Sequence, residues 1–287
     1  MTLLHSEINE LKLDSLHQFT KNFKATERMP ALFVGHGNPM NAIEDNIFTR
    51  GFESIAKELP RPNAILCISA HWETRGTFVT AMKQPETIHD FGGFPSRLYE
   101  VQYPAPGSPE LALAIQQGIT STSVNLTNEW GLDHGCWTVT KFLFPKADVP
   151  VIEMSIDYSK PAAFHYQLGK ELAALRRKGV IIIGSGNSIH NLRMVDWSNM
   201  DTVDSGYDWA IGVNERIRQF ITEGDHQSLV NFDKLGKEFK LAIPTPEHFI
   251  PLLYTLALQE KDEVPYIFND HLVAGSLNMM SVKLGIV

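Results

Sequence analysis

The chain has 287 residues, 43 % hydrophobic and 20 % charged, which suits a globular α/β protein with a sizeable core; nothing in its composition divides it. A formal net charge of −8, with no basic run longer than Arg176-Arg177-Lys178, argues against a nucleic-acid binder. Two cysteines, Cys67 and Cys136, exclude a disulfide framework and point to a reducing cytoplasm; no apolar run approaches the roughly 18 residues of a membrane span, and no signal-peptide pattern opens the chain.

Residues 1–28 scatter Leu4, Ile8, Leu11, Leu16, Phe19 and Phe23 in an imperfect helical pattern, expected to form an arm on the domain surface and a candidate contact in a small homo-oligomer. Ala31–Gly35 reads as a buried strand, followed by a helical pattern over 47–59 and a second strand over 64–68. The stretch 82–107 carries four Pro and three Gly without periodicity, and a loop that long in a compact domain is usually functional. Ser108, Pro109 and Glu110 make a good helix start for 109–118. Helices are predicted over 136–144 and 161–177, the latter closed by Gly179, with strands over 150–154 and 180–183. Later helices are expected over 207–221 and 246–258, with a last strand within 277–286. Strands alternating with helices of this length predict one α/β domain with a mostly parallel sheet flanked by helices.

Against that frame the eleven histidines are not evenly spread. His36 directly follows the first strand, His71 ends the second, and His190 follows the strand at 180–183. Loops beyond the carboxyl ends of parallel strands converge on a crevice, where open α/β sheets place their ligands. Neutral imidazole is the commonest protein ligand for Fe(II) and Zn(II), so three histidines at equivalent strand ends predict a metal centre there. Each also has a plainer reading: a turn between Gly35 and Gly37 for His36, a core histidine beside Trp72 for His71, and a glycine turn for Gly184–His190. His134 sits at a helix start beside Asp133, and His89 lies in the long loop, where it would line a substrate pocket or cap a turn. His248 is placed in the first turn of the predicted helix 246–258, on the edge of the stripe Phe249, Leu252, Leu253 and Leu256. Glu247 beside it has a helix-dipole explanation that His248 lacks. His5, His17, His165, His226 and His271 read as surface or structural.

Gly-His-Gly-Asn-Pro-Met at 35–40, Ser-Ala-His-Trp at 69–72 and Ile-His-Asp-Phe-Gly-Gly-Phe-Pro at 88–95 resemble the class III extradiol ring-cleavage dioxygenases. Tyr-Pro-Ala-Pro-Gly at 103–107, Gly-Leu-Asp-His-Gly at 131–135, Ser-Gly-Asn-Ser-Ile-His-Asn at 185–191 and Pro-Thr-Pro-Glu-His at 244–248 are similar to the 4,5-DOPA dioxygenase extradiol branch. The resemblance covers about residues 29–287, the expected catalytic domain, and leaves the arm 1–28 outside. It implies an Fe(II) centre that opens the ring of a catechol with O2 to a semialdehyde-type product, with Zn(II) as another bound metal. It assigns His36 and His71 as metal ligands, with His248 or Glu247 completing the set. His134 and His190 match the family's acid–base positions, and His190 is also a candidate ligand. A DOPA-like substrate carries a carboxylate, for which Arg193 or Arg97 is the candidate cation, with His89 nearby in sequence to the second. The rival functions are a zinc hydrolase, which would need a free carboxylate base among Asp90, Asp133 and Glu247, and a non-enzymatic binding protein.

Overall fold

A strand covered on both faces must be apolar at every position, and the runs at 31–35 and 64–69 meet that requirement. The computed structural model describes residues 25–200 and 202–285. In chain order its strands are β1 (Ala31–Gly35), β2 (Ala64–Ser69), β3 (Glu73–Thr74), β4 (Thr77–Thr80), β5 (Val124–Thr127) and β6 (Val151–Glu153). There follow β7 (Ile156–Asp157), β8 (Val180–Gly186), β9 (Tyr266–Phe268), β10 (Leu272–Val273), β11 (Leu277–Asn278) and β12 (Ser281–Leu284). The central sheet has the order β6-β2-β8-β1-β12-β9.

The sheet is mixed, which corrects the expectation of a mostly parallel one. β6, β2, β8 and β1 are mutually parallel, but β12 runs antiparallel to both β1 and β9. The cause lies after the last helix. Parallel neighbours need a crossover of a dozen or more residues, usually a helix, whereas β9 and β12 are joined through the small β10–β11 hairpin. The predicted strand within 277–286 accordingly divides into β11 and β12.

Successive strand side chains point to opposite faces, so the sheet separates two cores. Leu32, Val34, Ile65, Cys67, Ile181 and Ile183 pack with Phe52 and Trp137, from the helices Ile47–Ala56 and His134–Leu143. Phe33, Leu66, Ile68 and Ile182 pack with Leu168, Leu252 and Leu256, from the helices Ala162–Leu172 and Ile250–Ala257. The helix Pro109–Gly118 has the predicted bounds, and Ser108 Oγ accepts from Leu111 N at 3.3 Å as its cap. The predicted helix 161–177 tightens into a 3-10 segment, Ala173–Lys178, before Gly179. The helix predicted over 207–221 spans Asp208–Glu223.

The predicted helix 246–258 begins later, at Ile250, so His248 lies in a preceding turn and not in a helical first turn. Pro251 explains the shift. A proline has no N–H and its ring clashes with the carbonyl four residues back, so it is tolerated only in the first turn. Residues 246–249 instead form a tight turn, with Pro246 O accepting from Phe249 N at 3.0 Å and Ile250 N at 2.9 Å. Most of the arm 1–28, its helical pattern and its oligomer contact fall outside the described residues. Among the described residues no helix is long and apolar enough to cross a membrane.

Candidate metal and catalytic site

The ends of β1, β2 and β8 bring three short segments together, and the histidines expected there meet. His36 follows β1 and is 2 % exposed; its ring centroid lies 4.9 Å from that of His71, which follows β2. The turn carrying His248 brings that ring to 5.4 Å from His36 and 5.1 Å from His71. Gly186, the last residue of β8, makes this approach possible: a Cβ there would lie 2.1 Å from the carbonyl oxygen of His248. The same close pass lets Asn187 N donate to His248 O at 2.9 Å. One ligand atom from each of His36, His71 and His248 falls within 4.8 Å of the others.

His190, four residues beyond β8 and just after residues 187–189, stacks on His248 with centroids 3.6 Å apart and planes 10° from parallel. With Glu247 and His248 it forms a second group of mutually close donors. His134 is the first residue of the helix His134–Leu143 and is 5 % exposed; its ring lies 3.8 Å from His71 and 5.8 Å from His36. His134 therefore starts a helix, as its plainer reading has it, and its ring also lies against the histidine cluster.

Sequence reasoning passed over four supporting residues, Asp90, Ser185, Ser69 and Glu153. Asp90 entered only as a candidate hydrolase base, yet Oδ1 accepts from His134 N at 2.8 Å and Oδ2 from His134 Nδ1 at 2.9 Å, while His71 Nδ1 stands 3.6 Å from Oδ2. Burial pushes the Asp90 carboxyl up, but the bonds from His134 outweigh it and the pKa is lowered. Ser185 Oγ lies 2.9 Å from His36 Nδ1, and Ser69 Oγ donates to Asp133 Oδ1 at 2.7 Å. Asp133 caps the His134 helix by accepting from Cys136 N at 3.0 Å, and its own N–H donates to Glu153 Oε1 at 2.8 Å. Burial, then proximity to another carboxyl, raises the pKa of both Asp133 and Glu153. The signal for Asp90 was its place in the motif His89-Asp90-Phe91: neighbouring side chains of an extended loop point opposite ways, so only one of the first two faces the cluster.

His89 faces the other way. Its Nε2 bonds to Val101 O at 3.0 Å and its ring packs beside Trp137, Tyr99 and Phe91, so it reaches the cluster only through Phe91, whose ring is 5.5 Å from His134. Trp137 Nε1 donates to Ile88 O at 2.8 Å, which ties this loop to the helix of His134. Arg193 is exposed in the 3-10 segment Leu192–Met194, and Arg97 is exposed on Ser96–Tyr99; neither forms an ion pair among the described residues. Glu247 lies beside His248, which bonds to its Oε1 through Nδ1 at 3.1 Å, as does Thr245 Oγ1 at 2.8 Å. Burial raises the Glu247 pKa, but these bonds prevail and hold it at about 2.

The donor set fits a metal ion. Ser185 has one hydroxyl proton and donates it to Gly135 O at 2.6 Å, so towards His36 Nδ1 it only accepts. The proton of neutral His36 is then on Nδ1, and Nε2 presents a lone pair. In His71 the negative Asp90 oxygen favours a proton on Nδ1, so Nε2 there is a lone pair as well. These two Nε2 atoms face each other at 3.1 Å, a repulsive arrangement unless a cation is shared between them. Burial, followed by the neighbouring imidazoles, lowers the pKa of His36 and His71, and burial likewise brings His190 to about 3, so all three are neutral near pH 7.

Over most of its length the chain is similar to known proteins. A family model described as the catalytic LigB subunit of aromatic ring-opening dioxygenase matches residues 30–280. A 4,5-DOPA dioxygenase extradiol from Escherichia coli (strain K12) is 48 % identical over 91 % of this chain and 96 % of its own. One from Beta vulgaris is 39 % identical, covering 77 % of this chain and 83 % of its own. A crystal structure of an uncharacterized protein from Escherichia coli K12 superposes with a TM-score of 0.78 at 44 % identity, covering 90 % of this chain and all of that one.

Proposed function

Because the chain belongs to the LigB family of aromatic ring-opening dioxygenases, and is on that ground an extradiol ring-cleaving oxidoreductase, we propose that its histidine cluster holds Fe(II) and acts on a catechol of the DOPA type. The observation that carries the metal reading is the approach of His36 Nε2 and His71 Nε2 to 3.1 Å, with His248 as third donor. A bound metal would supply a path for electrons between a catechol and O2, which no side chain does unaided. A semialdehyde-type ring-opened product follows from that chemistry.

The protein's own groups supply the proton transfers and the fit. His36, His71 and His248 hold the ion through ring nitrogens. His134 exchanges a proton with a catechol hydroxyl at Nε2, the ring nitrogen not bonded to Asp90. His190, stacked on His248, faces the reacting oxygens from the other side as the second acid–base group. Phe91 gives the ring an apolar wall beside His134. Arg193, three residues beyond His190 and without an ion pair among the described residues, is assigned the substrate's carboxylate.

One alternative donor set and one alternative function are weaker. His71, Asp90 and His134 also come within 4.8 Å, but both Asp90 oxygens already accept N–H groups of His134. The zinc-hydrolase reading needs a free carboxylate facing the metal; Asp90 and Glu247 are engaged by His134 and His248, and Asp133 is fully buried, with Oδ1 held by Ser69 and Cys136. The deciding experiment is anaerobic Fe(II) reconstitution followed by O2-uptake assays over a panel of catechols including DOPA. A yellow ring-opened product with stoichiometric O2 uptake is expected, and none from the iron-free zinc form, since Zn(II) has no redox change to offer. No uptake with any catechol at full iron occupancy, or uptake by the zinc form, refutes the proposal.

A further inference from the structure

We infer that Asp90 is a positioning residue that locks His134 in the tautomer with its proton on Nδ1, and so presents the Nε2 lone pair to the substrate. The inference rests on the acid–base role given to His134 above. Its geometric basis is the two-point grip of one carboxylate on one residue: Oδ1 accepts the backbone N–H of His134 at 2.8 Å, and Oδ2 accepts from Nδ1 at 2.9 Å. A backbone amide can only donate, so it fixes which way the carboxylate lies. An ionised carboxylate can only accept, so Nδ1 must carry the proton. The imidazole is left with one free nitrogen, and that nitrogen is a base.

The surroundings hold Asp90 in this pose. Ile88 N donates to Leu132 O at 2.7 Å and Leu132 N to Glu86 O at 2.7 Å, joining the Asp90 loop to the strand-like lead into Asp133 and His134. Trp137 Nε1 bonds Ile88 O from one turn further along the same helix. The carboxylate and the histidine are thus carried by two segments tied to each other on both sides of the contact. Asp90 Oδ2 is also the atom that His71 Nδ1 faces at 3.6 Å, too long for a hydrogen bond but close enough to favour the N–H there. One carboxylate therefore biases two imidazoles the same way, with a ligand nitrogen of His71 and a base nitrogen of His134 both turned inward.

The arrangement makes a counter-intuitive ordering of variants. In Asp90→Asn the carbonyl oxygen stays on the His134 backbone N–H, since the NH2 group cannot. The NH2 group then meets Nδ1 as a donor and drives the proton to Nε2, blocking the base. In Asp90→Ala nothing dictates the tautomer, and a fraction of the molecules keeps a free Nε2. A residue that merely braced the loop would give the opposite order, because Asn keeps the shape and one hydrogen bond.

The test uses zinc-loaded, histidine-15N-labelled protein and a two-bond ring 1H–15N correlation, with His134 assigned from the His134→Gln spectrum. A protonated Nδ1 is expected in the unsubstituted protein and a protonated Nε2 in Asp90→Asn. With iron-loaded enzyme, Asp90→Asn is expected to lose about 10^3- to 10^4-fold in kcat, the scale seen when a carboxylate orienting a catalytic histidine becomes an amide. Asp90→Ala is expected to lose about tenfold less than Asn, with KM for the catechol changed by no more than a few-fold in both and rates compared per bound metal ion. A protonated Nε2 on His134 in the unsubstituted protein overturns the inference without any variant having to fold, and so does an Asn variant more active than the Ala one. Unimpaired turnover by His134→Phe would instead overturn the acid–base role while leaving the tautomer measurement standing.

Discussion

Gly135 follows His134 in the helix, and replacing it with alanine perturbs the site through space alone. The backbone there is ordinary, so the substitution brings no conformational strain, and it gains up to about 1 kcal/mol of helix propensity. The added Cβ, however, would stand 2.5 Å from Ser69 Oγ, 2.9 Å from His71 Cδ2 and 3.3 Å from Asp133 Oδ1. Carbon contacts settle at about 3.5–4.0 Å, so the His71 ring has to retreat by more than about 0.5 Å. Ser69 has to retreat further, and it is not free to do so: its hydroxyl donates to Asp133 Oδ1 at 2.7 Å and accepts from His71 N at 3.2 Å. Overpacking costs about 1–3 kcal/mol and a lost hydrogen bond about 1 kcal/mol, so after the helix gain the net loss is about 1–4 kcal/mol. That is within the margin of a domain this size, and the variant should fold. Displacing a ligand and its support should weaken metal binding by about 10- to 100-fold. Zinc competition against a chromophoric chelator reads the second effect and urea unfolding of the metal-free protein the first. Gly212→Ala, on the helix Asp208–Glu223 where a Cβ meets nothing within 4 Å, is the control and should gain about 0.5–1 kcal/mol. A Gly135→Ala protein with unchanged zinc affinity would show that His71 is not held where its ring position matters to the metal.

His36→Ala and His71→Ala should each remove most bound metal while the urea midpoint of the metal-free form shifts little; metal analysis at full occupancy would refute the ligand assignment. His248→Ala should empty the site and Glu247→Gln should leave it filled, because Glu247 serves to hold His248 Nδ1; the reverse metal contents would exchange their roles. His134→Phe should keep metal and lose turnover by about a hundredfold or more, and stopped-flow rates matching the unsubstituted enzyme would demote it to a helix-start residue. His165 is buried away from the site, and burial holds its pKa at about 4. Its unfolded form takes a proton below about pH 6.5 while the folded form stays neutral, so stability is lost as pH falls from 6.5 through 4, by about 3 kcal/mol in all. In urea titrations between pH 7 and 4, His165→Gln should flatten that part of the pH dependence; an unaltered slope would mean another group carries it.

The local features of this chain are legible because they depend on neighbours in sequence. Apolar runs dictated β1, β2 and β8, the Ser108-Pro109-Glu110 start fixed its helix, and the position of His36, His71 and His190 after strands followed from the strands themselves. The failures share a different cause. The mixed sheet depends on how residues 269–280 connect β9 to β12, and pairing direction is a property of that return path, not of either strand's composition. Thr245-Pro246 is a good start signal for a helix that would include His248, but Pro251 vetoes it, and a steric veto five residues downstream of Pro246 outweighs a cap. His89 attracted attention over Asp90 because imidazole is the more conspicuous metal-site residue, whereas only the path of the loop decides which of two adjacent side chains turns inward. The sequence determined which donors exist and on which strand ends they stand. The tertiary structure decided which lone pairs face one another, because Ser185, Gly135 and Asp90 come from segments far apart in the chain and meet the histidines only when the sheet is assembled.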